Sequence, residues 1–148
     1  MKDIPVKSGT RYPAPFDAPC RAREWQALGE AFGLAQFGVN RVRLKPGVWS
    51  SQRHWHTHED EFVYVLEGAP TLVTDDGRRA LGPGEFVGFR GGVENGHHLI
   101  NETEEDVVFL VVGARIAEDA AHYPDIDLYC PPGRQQGAVF TRKNGEPY

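Results

Sequence analysis

The stretch Arg53-His54-Trp55-His56-Thr57-His58-Glu59-Asp60-Glu61 decides how this chain is read. In an extended strand alternate residues share a face, so His54 and His56 project together, as two imidazoles on one ion must. Thr57 to Asp60 suits a turn. Glu61 then opens the next strand and returns a carboxylate to the same point. His58 shares the parity of His56 and is a reserve ligand, although a solvated turn position suits it better. A second pair, His97-His98, opens a later strand, and parity allows only one of the two to face inward. Three imidazoles and one carboxylate leave positions open on a five- or six-coordinate ion, which suits one divalent Fe, Mn, Ni, Co or Zn. No thiolate joins the cluster, which argues against a closed structural zinc site.

Around this stretch the chain alternates short apolar runs with turns. It has 17 glycines and 11 prolines, spread throughout. Strands are expected over Gly38 to Leu44, Glu61 to Glu67, Thr71 to Thr74, Glu85 to Phe89, His97 to Asn101 and Asp106 to Val112. Asp75-Asp76-Gly77 is a hairpin turn, because Asp and Gly tolerate the required positive φ. Leu81-Gly82-Pro83-Gly84 is another turn. Strands at this spacing predict an all-β sandwich or closed barrel. Arg21 to Ala31 is the one expected helix. Ile126 to Tyr129 and Ala138 to Thr141 are expected edge strands in a Pro- and Gly-rich tail. If Glu61 faces inward, Val63 and Val65 do too, while Phe62, Tyr64 and Leu66 face out and need cover from a homodimer partner or the terminal segments. Val107 to Val112 is apolar on both faces and reads as a fully buried strand.

The 148 residues suffice for one domain with a real core. A formal net charge of -5 argues against nucleic acid as the main partner. The longest aliphatic and aromatic run, Val107 to Val112, is too short to span a bilayer. Met1 to Thr10 is polar and lacks the apolar region of a signal peptide. Cys20 and Cys130 read as free thiols. The expectation is a cytoplasmic protein with no membrane or nucleic-acid partner.

The central stretch resembles the first motif of the cupin superfamily, in which a glycine precedes H-x-H, followed by E and then G. Here His54-x-His56, four residues, Glu61, six residues and Gly68 match in type and spacing, with Gly47 one residue too far upstream. Gly84, Gly92, His97 and Asn101 resemble the second motif, with Arg90 in place of its proline and four residues rather than two between Gly92 and His97. The three-residue spacing to Asn101 favours His97 over His98. The resemblance covers about 38–113. It implies a double-stranded β-helix, or jelly-roll barrel, with short extensions over 1–37 and 114–148 packing on it, one domain over 1–148. It also implies a metal held by His54, His56, Glu61 and His97.

Three functional readings follow. The first is a metal-dependent enzyme acting on a small polar molecule, of dioxygenase, decarboxylase, isomerase or lyase type. The second is a non-enzymatic small-ligand or metal-binding cupin module. The third, an epimerase working without metal, fits the intact ligand set least. Trp49, Arg90 and Glu94 are expected at the rim of a cavity beside the ion, and Trp55 is a further candidate there. His122 reads as structural.

Overall fold

Period-two burial organises the strands. Val63 and Val65 are fully buried, whereas Phe62, Tyr64 and Leu66, their alternates, lie on the outer face. The computed structural model describes residues 3–148; Met1 and Lys2 of the expected N-terminal extension lie outside them. Its strands are β1 (Lys7–Ser8), β2 (Glu24–Ala27), β3 (Phe37–Leu44), β4 (Trp55–His56), β5 (Glu61–Glu67) and β6 (Thr71–Thr74). They continue as β7 (Gly77–Ala80), β8 (Phe86–Phe89), β9 (His98–Ile100), β10 (Val107–Ala114), β11 (Ala121–His122) and β12 (Tyr129–Cys130). Three single-turn 3-10 helices complete the described residues. No helix there is long and apolar enough to cross a membrane.

One sheet runs β1-β2-β3-β10-β5-β8, and two three-stranded sheets run β12-β11-β4 and β7-β6-β9. An isolated bridge between His54 and His97 joins the two small sheets at the point that matters for function. Val42, Leu44, Val63, Val65, Val107 and Phe109 from the large sheet meet Leu72 and Leu99 from the β7-β6-β9 sheet in the core. This is a jelly-roll barrel. Truncating the fully buried Phe109 to Ala would remove about 3–5 kcal/mol from it.

Close approaches fix where the loops can go. Gly68 turns after β5 at φ +76°, and a Cβ there would lie 2.7 Å from the Asp106 carbonyl oxygen. A Cβ on Gly91 would meet the His58 carbonyl oxygen at 2.4 Å, so only glycine lets the loop after β8 lie against the turn between β4 and β5. The Gly92 amide then donates to the His56 carbonyl at 2.8 Å.

Several expectations need correction. Arg21 to Ala31 is not a helix: it is β2, flanked by 3-10 turns over Ala18–Cys20 and Glu30–Phe32. The reason is tertiary. Trp25 pairs with Val42 across the β2–β3 ladder and packs against the barrel core, a gain that weak helix propensity does not match. Of the tail strands, the first is shifted to Tyr129–Cys130, and of the second only Thr141 pairs, in isolated bridges to Tyr129 and Pro147. In β10 only Val107, Val108 and Phe109 are fully buried; Leu110 to Val112 are half-buried. The terminal segments leave Phe62, Tyr64 and Leu66 at 40%, 37% and 37% exposure. A second apolar cluster of Ala121, Tyr123, Leu128 and Cys130 pins the C-terminal segment to Tyr12 and Phe16 of the N-terminal one. Cys20 and Cys130 are buried and free.

Candidate metal centre

Four side chains converge where β4, β5 and the bridge before β9 meet. The Nε2 atoms of His97, His56 and His54 lie 3.4, 3.7 and 3.9 Å from one oxygen, Oε2 of Glu61. Two donors bound at about 2.1 Å to one ion sit roughly 3.0–4.2 Å apart, depending on the angle between them. His54, His56 and Glu61 therefore lie close enough together to hold a single divalent ion, and His97 approaches the same Glu61 oxygen. His97 is held flat against Phe89, with ring centroids 3.5 Å apart, and Phe89 is the ladder partner of Glu61.

The other ring nitrogens are each directed at an oxygen. His54 Nδ1 lies 2.8 Å from the Gln52 carbonyl, His97 Nδ1 3.3 Å from that of Asn95, and His56 Nδ1 2.7 Å from the Asp119 carboxylate. These acceptors favour the tautomer with the proton on Nδ1, which leaves every Nε2 lone pair aimed into the cluster. Burial, reinforced by His56 and His97, pushes His54 down to about 3. It is neutral, as a ligand must be, across the physiological range. Burial raises the Glu61 carboxyl, but the three imidazoles around it, His97 first, outweigh this and bring it to about 2.

A cupin domain model matches residues 40–113, half of the chain, around these same side chains. The chain belongs to the cupin superfamily. A sugar phosphate isomerase of that superfamily from Silicibacter pomeroyi is 44% identical, with a TM-score of 0.93 over 98% of this chain and 92% of the other. A protein named as a candidate sugar phosphate isomerase from Acidithiobacillus ferrooxidans is 31% identical, with a TM-score of 0.76 over 83% of this chain and 78% of the other. The polyketide cyclase RemF from Streptomyces resistomycificus is 27% identical, with a TM-score of 0.58 over 77% and 79% of the two chains. No functionally curated protein matches.

In this cupin His54, His56 and Glu61 line a cavity of about 440 Å³. The two terminal segments supply much of its wall, including Tyr12, Arg23, Trp25, Tyr123 and Arg134. The expected rim residues Trp49, Arg90 and Glu94 do not line it. Arg90 and Glu94 are exposed on the loop after β8, and Trp49 packs edge-on against His98, with centroids 4.9 Å apart. Trp55 is stacked on His122 at 4.2 Å, which accounts for both. His98 is buried, but its Nδ1 faces the Ser51 carbonyl at 2.9 Å, away from the cluster. His58 is exposed.

Asp119 is a candidate site residue that no sequence motif marks. It lies in the tail, 63 residues from His56. Its Oδ2 takes the His56 Nδ1 contact, while its Oδ1 accepts the backbone N–H groups of His58 and Glu59 at 2.9 and 3.1 Å. Burial raises Asp119, and these hydrogen bonds, His56 first, outweigh it and bring the carboxyl to about 2. Glu59, Asp119 and His56 also lie close enough together to suggest a second ion site. Their atoms are already engaged, however: Glu59 by Arg134 and the Ile116 amide, Asp119 by His56 and the turn. They position His56.

Proposed function

We propose that this cupin is a metal-dependent enzyme that isomerises a small sugar phosphate, with His54, His56, Glu61 and His97 holding one divalent transition metal. The observation that carries the reading is the convergence of three Nε2 atoms on Glu61 Oε2 beside a cavity with room for a small polar molecule. When bound, the ion would supply Lewis-acid polarisation of a substrate oxygen. The similarity to the Silicibacter pomeroyi isomerase, over nearly the whole of both chains, favours isomerisation among the chemistries the fold supports.

The chain's own groups bind and orient. Burial holds the Tyr12 phenol up at about 12 and that of Tyr123 well above its ordinary value. Both line the cavity and stay protonated at neutral pH, so they serve as hydrogen-bond partners for substrate hydroxyls rather than as bases. Tyr123 lies beside His54, with ring centroids 5.8 Å apart.

The test begins with protein purified without a chelating tag and analysed for metal. A panel of aldose and ketose phosphates is then followed by NMR with native, metal-stripped and reconstituted protein. Interconversion that disappears on stripping and returns with one ion is expected. Absence of stoichiometric metal, or turnover that is unchanged after stripping, would overturn the proposal.

A further inference from the structure

Four arginines line the cavity, and two of them are neutralised within the protein. Arg115 pairs with Glu30, and Arg134 pairs with the buried Glu59. Arg23 is different. Among the described residues no carboxylate lies within 4 Å of its guanidinium, and the one hydrogen bond of its side chain runs from Nη1 to the Ser50 carbonyl at 3.0 Å. Its Nε is buried without any partner. Arg23 is half-buried, and a cation partly withdrawn from water without an anion is costly unless something else supplies the charge. Burial accordingly pushes the Arg23 guanidinium down from its ordinary value, with only Tyr12 and Cys20 opposing it.

The fold presents this cation to the cavity. Arg23 immediately precedes β2 and has the parity of Trp25, whose ladder partner is the core residue Val42. Its guanidinium carbon sits 4.6 Å from the centroid of the Trp25 ring, which holds it on one face by cation–π attraction. With one edge tied to Ser50 and one face on Trp25, the remaining N–H groups are preorganised rather than floppy. Ser50 leads directly to the metal cluster: its hydroxyl lies 3.4 Å from that of Ser51, which in turn lies 3.4 Å from His54 Nδ1. Arg11, also without a carboxylate partner, adds a second positive charge to the cavity wall.

We propose that Arg23 is the anion anchor of the cavity, receiving the phosphate monoester of a substrate whose reacting end reaches the His54, His56, Glu61 and His97 cluster. The assignment rests on the proposed reading of the cavity as the site of a sugar phosphate. Arginine suits the role because its planar fork donates two parallel hydrogen bonds to phosphate or carboxylate oxygens. A tetrahedral dianion can also take a hydroxyl of the Ser50-Ser51 pair.

The test uses the full chain in its metal-loaded form and titrates inorganic phosphate, a hexose phosphate, the same hexose without phosphate, and a hexonate carboxylate. Native protein, Arg23→Gln and Arg23→Lys are compared by calorimetry, with metal content and melting temperature measured on each. Phosphate and hexose phosphate should bind at least tenfold more weakly to Arg23→Gln than to native protein, with part of the loss recovered in Arg23→Lys. Binding of the unphosphorylated hexose, metal content and melting should change little. A merely structural role would move melting and metal content and leave the preference for the phosphorylated sugar intact. Phosphate binding that survives Arg23→Gln would overturn the anchor, as would native protein that ignores phosphate. So would a hexonate that binds more tightly than the phosphate and depends on Arg23. Metal content of the native protein tests the underlying reading separately, so its failure is distinguishable from failure of the anchor.

Discussion

Replacing Asp119 with Asn changes one atom in a carboxylate that His56 depends on. Oδ2 is 2.7 Å from His56 Nδ1, and Oδ1 accepts from the His58 and Glu59 amides, with Asp119, His56 and Glu59 buried. An Asn side chain has one acceptor end and one donor end, so it cannot satisfy both sides. If its oxygen stays with the two amides, its NH₂ faces His56 Nδ1, which must then be the acceptor. The proton moves to Nε2 and blocks the lone pair that the ion needs. Loss of such an orienting partner costs about 10–100-fold in metal affinity. If the amide flips instead, His56 keeps its tautomer but the His58 and Glu59 N–H groups lose their acceptor, at about 1–3 kcal/mol for the buried Glu59 amide. For a domain of this size each kcal/mol lowers the melting temperature by about 2–4 °C. Competition titration with a metal indicator and thermal melts of metal-free protein read the two branches. A variant within twofold of native affinity that also melts within a degree of native would refute the dependence of His56 on Asp119.

His54→Ala, His56→Ala, Glu61→Gln and His97→Ala should each remove stoichiometric metal, whereas His58→Ala should retain it and His98→Ala should weaken it less than His97→Ala. Metal analysis after dialysis reads the order, and a ranking of His58 or His98 above His97 would reject the assignment. The metal-free protein should lose stability as pH falls below about 6.5, because the unfolded chain then protonates a histidine that the fold keeps neutral down to about 3. The slope approaches 1.4 kcal/mol per pH unit where only the unfolded form is charged, and Glu61 extends the loss from about 4.5 towards 2. Urea midpoints that stay level between pH 7 and pH 5 would contradict this. Phe62, Tyr64 and Leu66 form an apolar face with Phe86, whose ring stacks near both aromatics. A homodimer through that face is expected, and Leu66→Asp should yield monomers by native mass; a native monomer would remove the dimer.

The grouping of His54, His56 and Glu61 is legible in the sequence because its geometry is local, whereas His97 reaches Glu61 across 36 residues. H-x-H fixes two side chains by strand parity alone, and a four-residue turn returns Glu61 regardless of the rest of the fold. The inward and outward alternation of β5 is legible for the same reason. What stays hidden depends on long-range contacts. The segment from Arg21 to Ala31 carries no strong period of either kind, so its state is set by Trp25 finding Val42 across the sheet. Asp119 carries no local signal at all, since a lone Asp in a polar tail is the commonest of surface residues. The rim is misplaced by sequence reasoning because the second motif does not lead to the cavity mouth. Instead, the loop bearing Arg90 and Glu94 folds against the turn after β4, where Gly91 permits the contact.

This division has a chemical counterpart. The barrel strands supply what any ion of this type requires: donors, their spacing and a dry setting. The terminal segments supply what a particular substrate would meet: Tyr12 and Tyr123 with protonated hydroxyls, Arg134 neutralised by Glu59, and Arg23 left without an anion. Asp119 couples the two, because the same carboxylate that fixes the His56 tautomer also ties the tail to the turn after β4. Changes in the tail should therefore reach the metal through His56, while changes at Arg23 should reach only the substrate. Measuring metal affinity and ligand affinity separately on Asp119→Asn and Arg23→Gln tests that division directly. Metal affinity lost in both variants alike would mean that the wall and the ion site act as one unit.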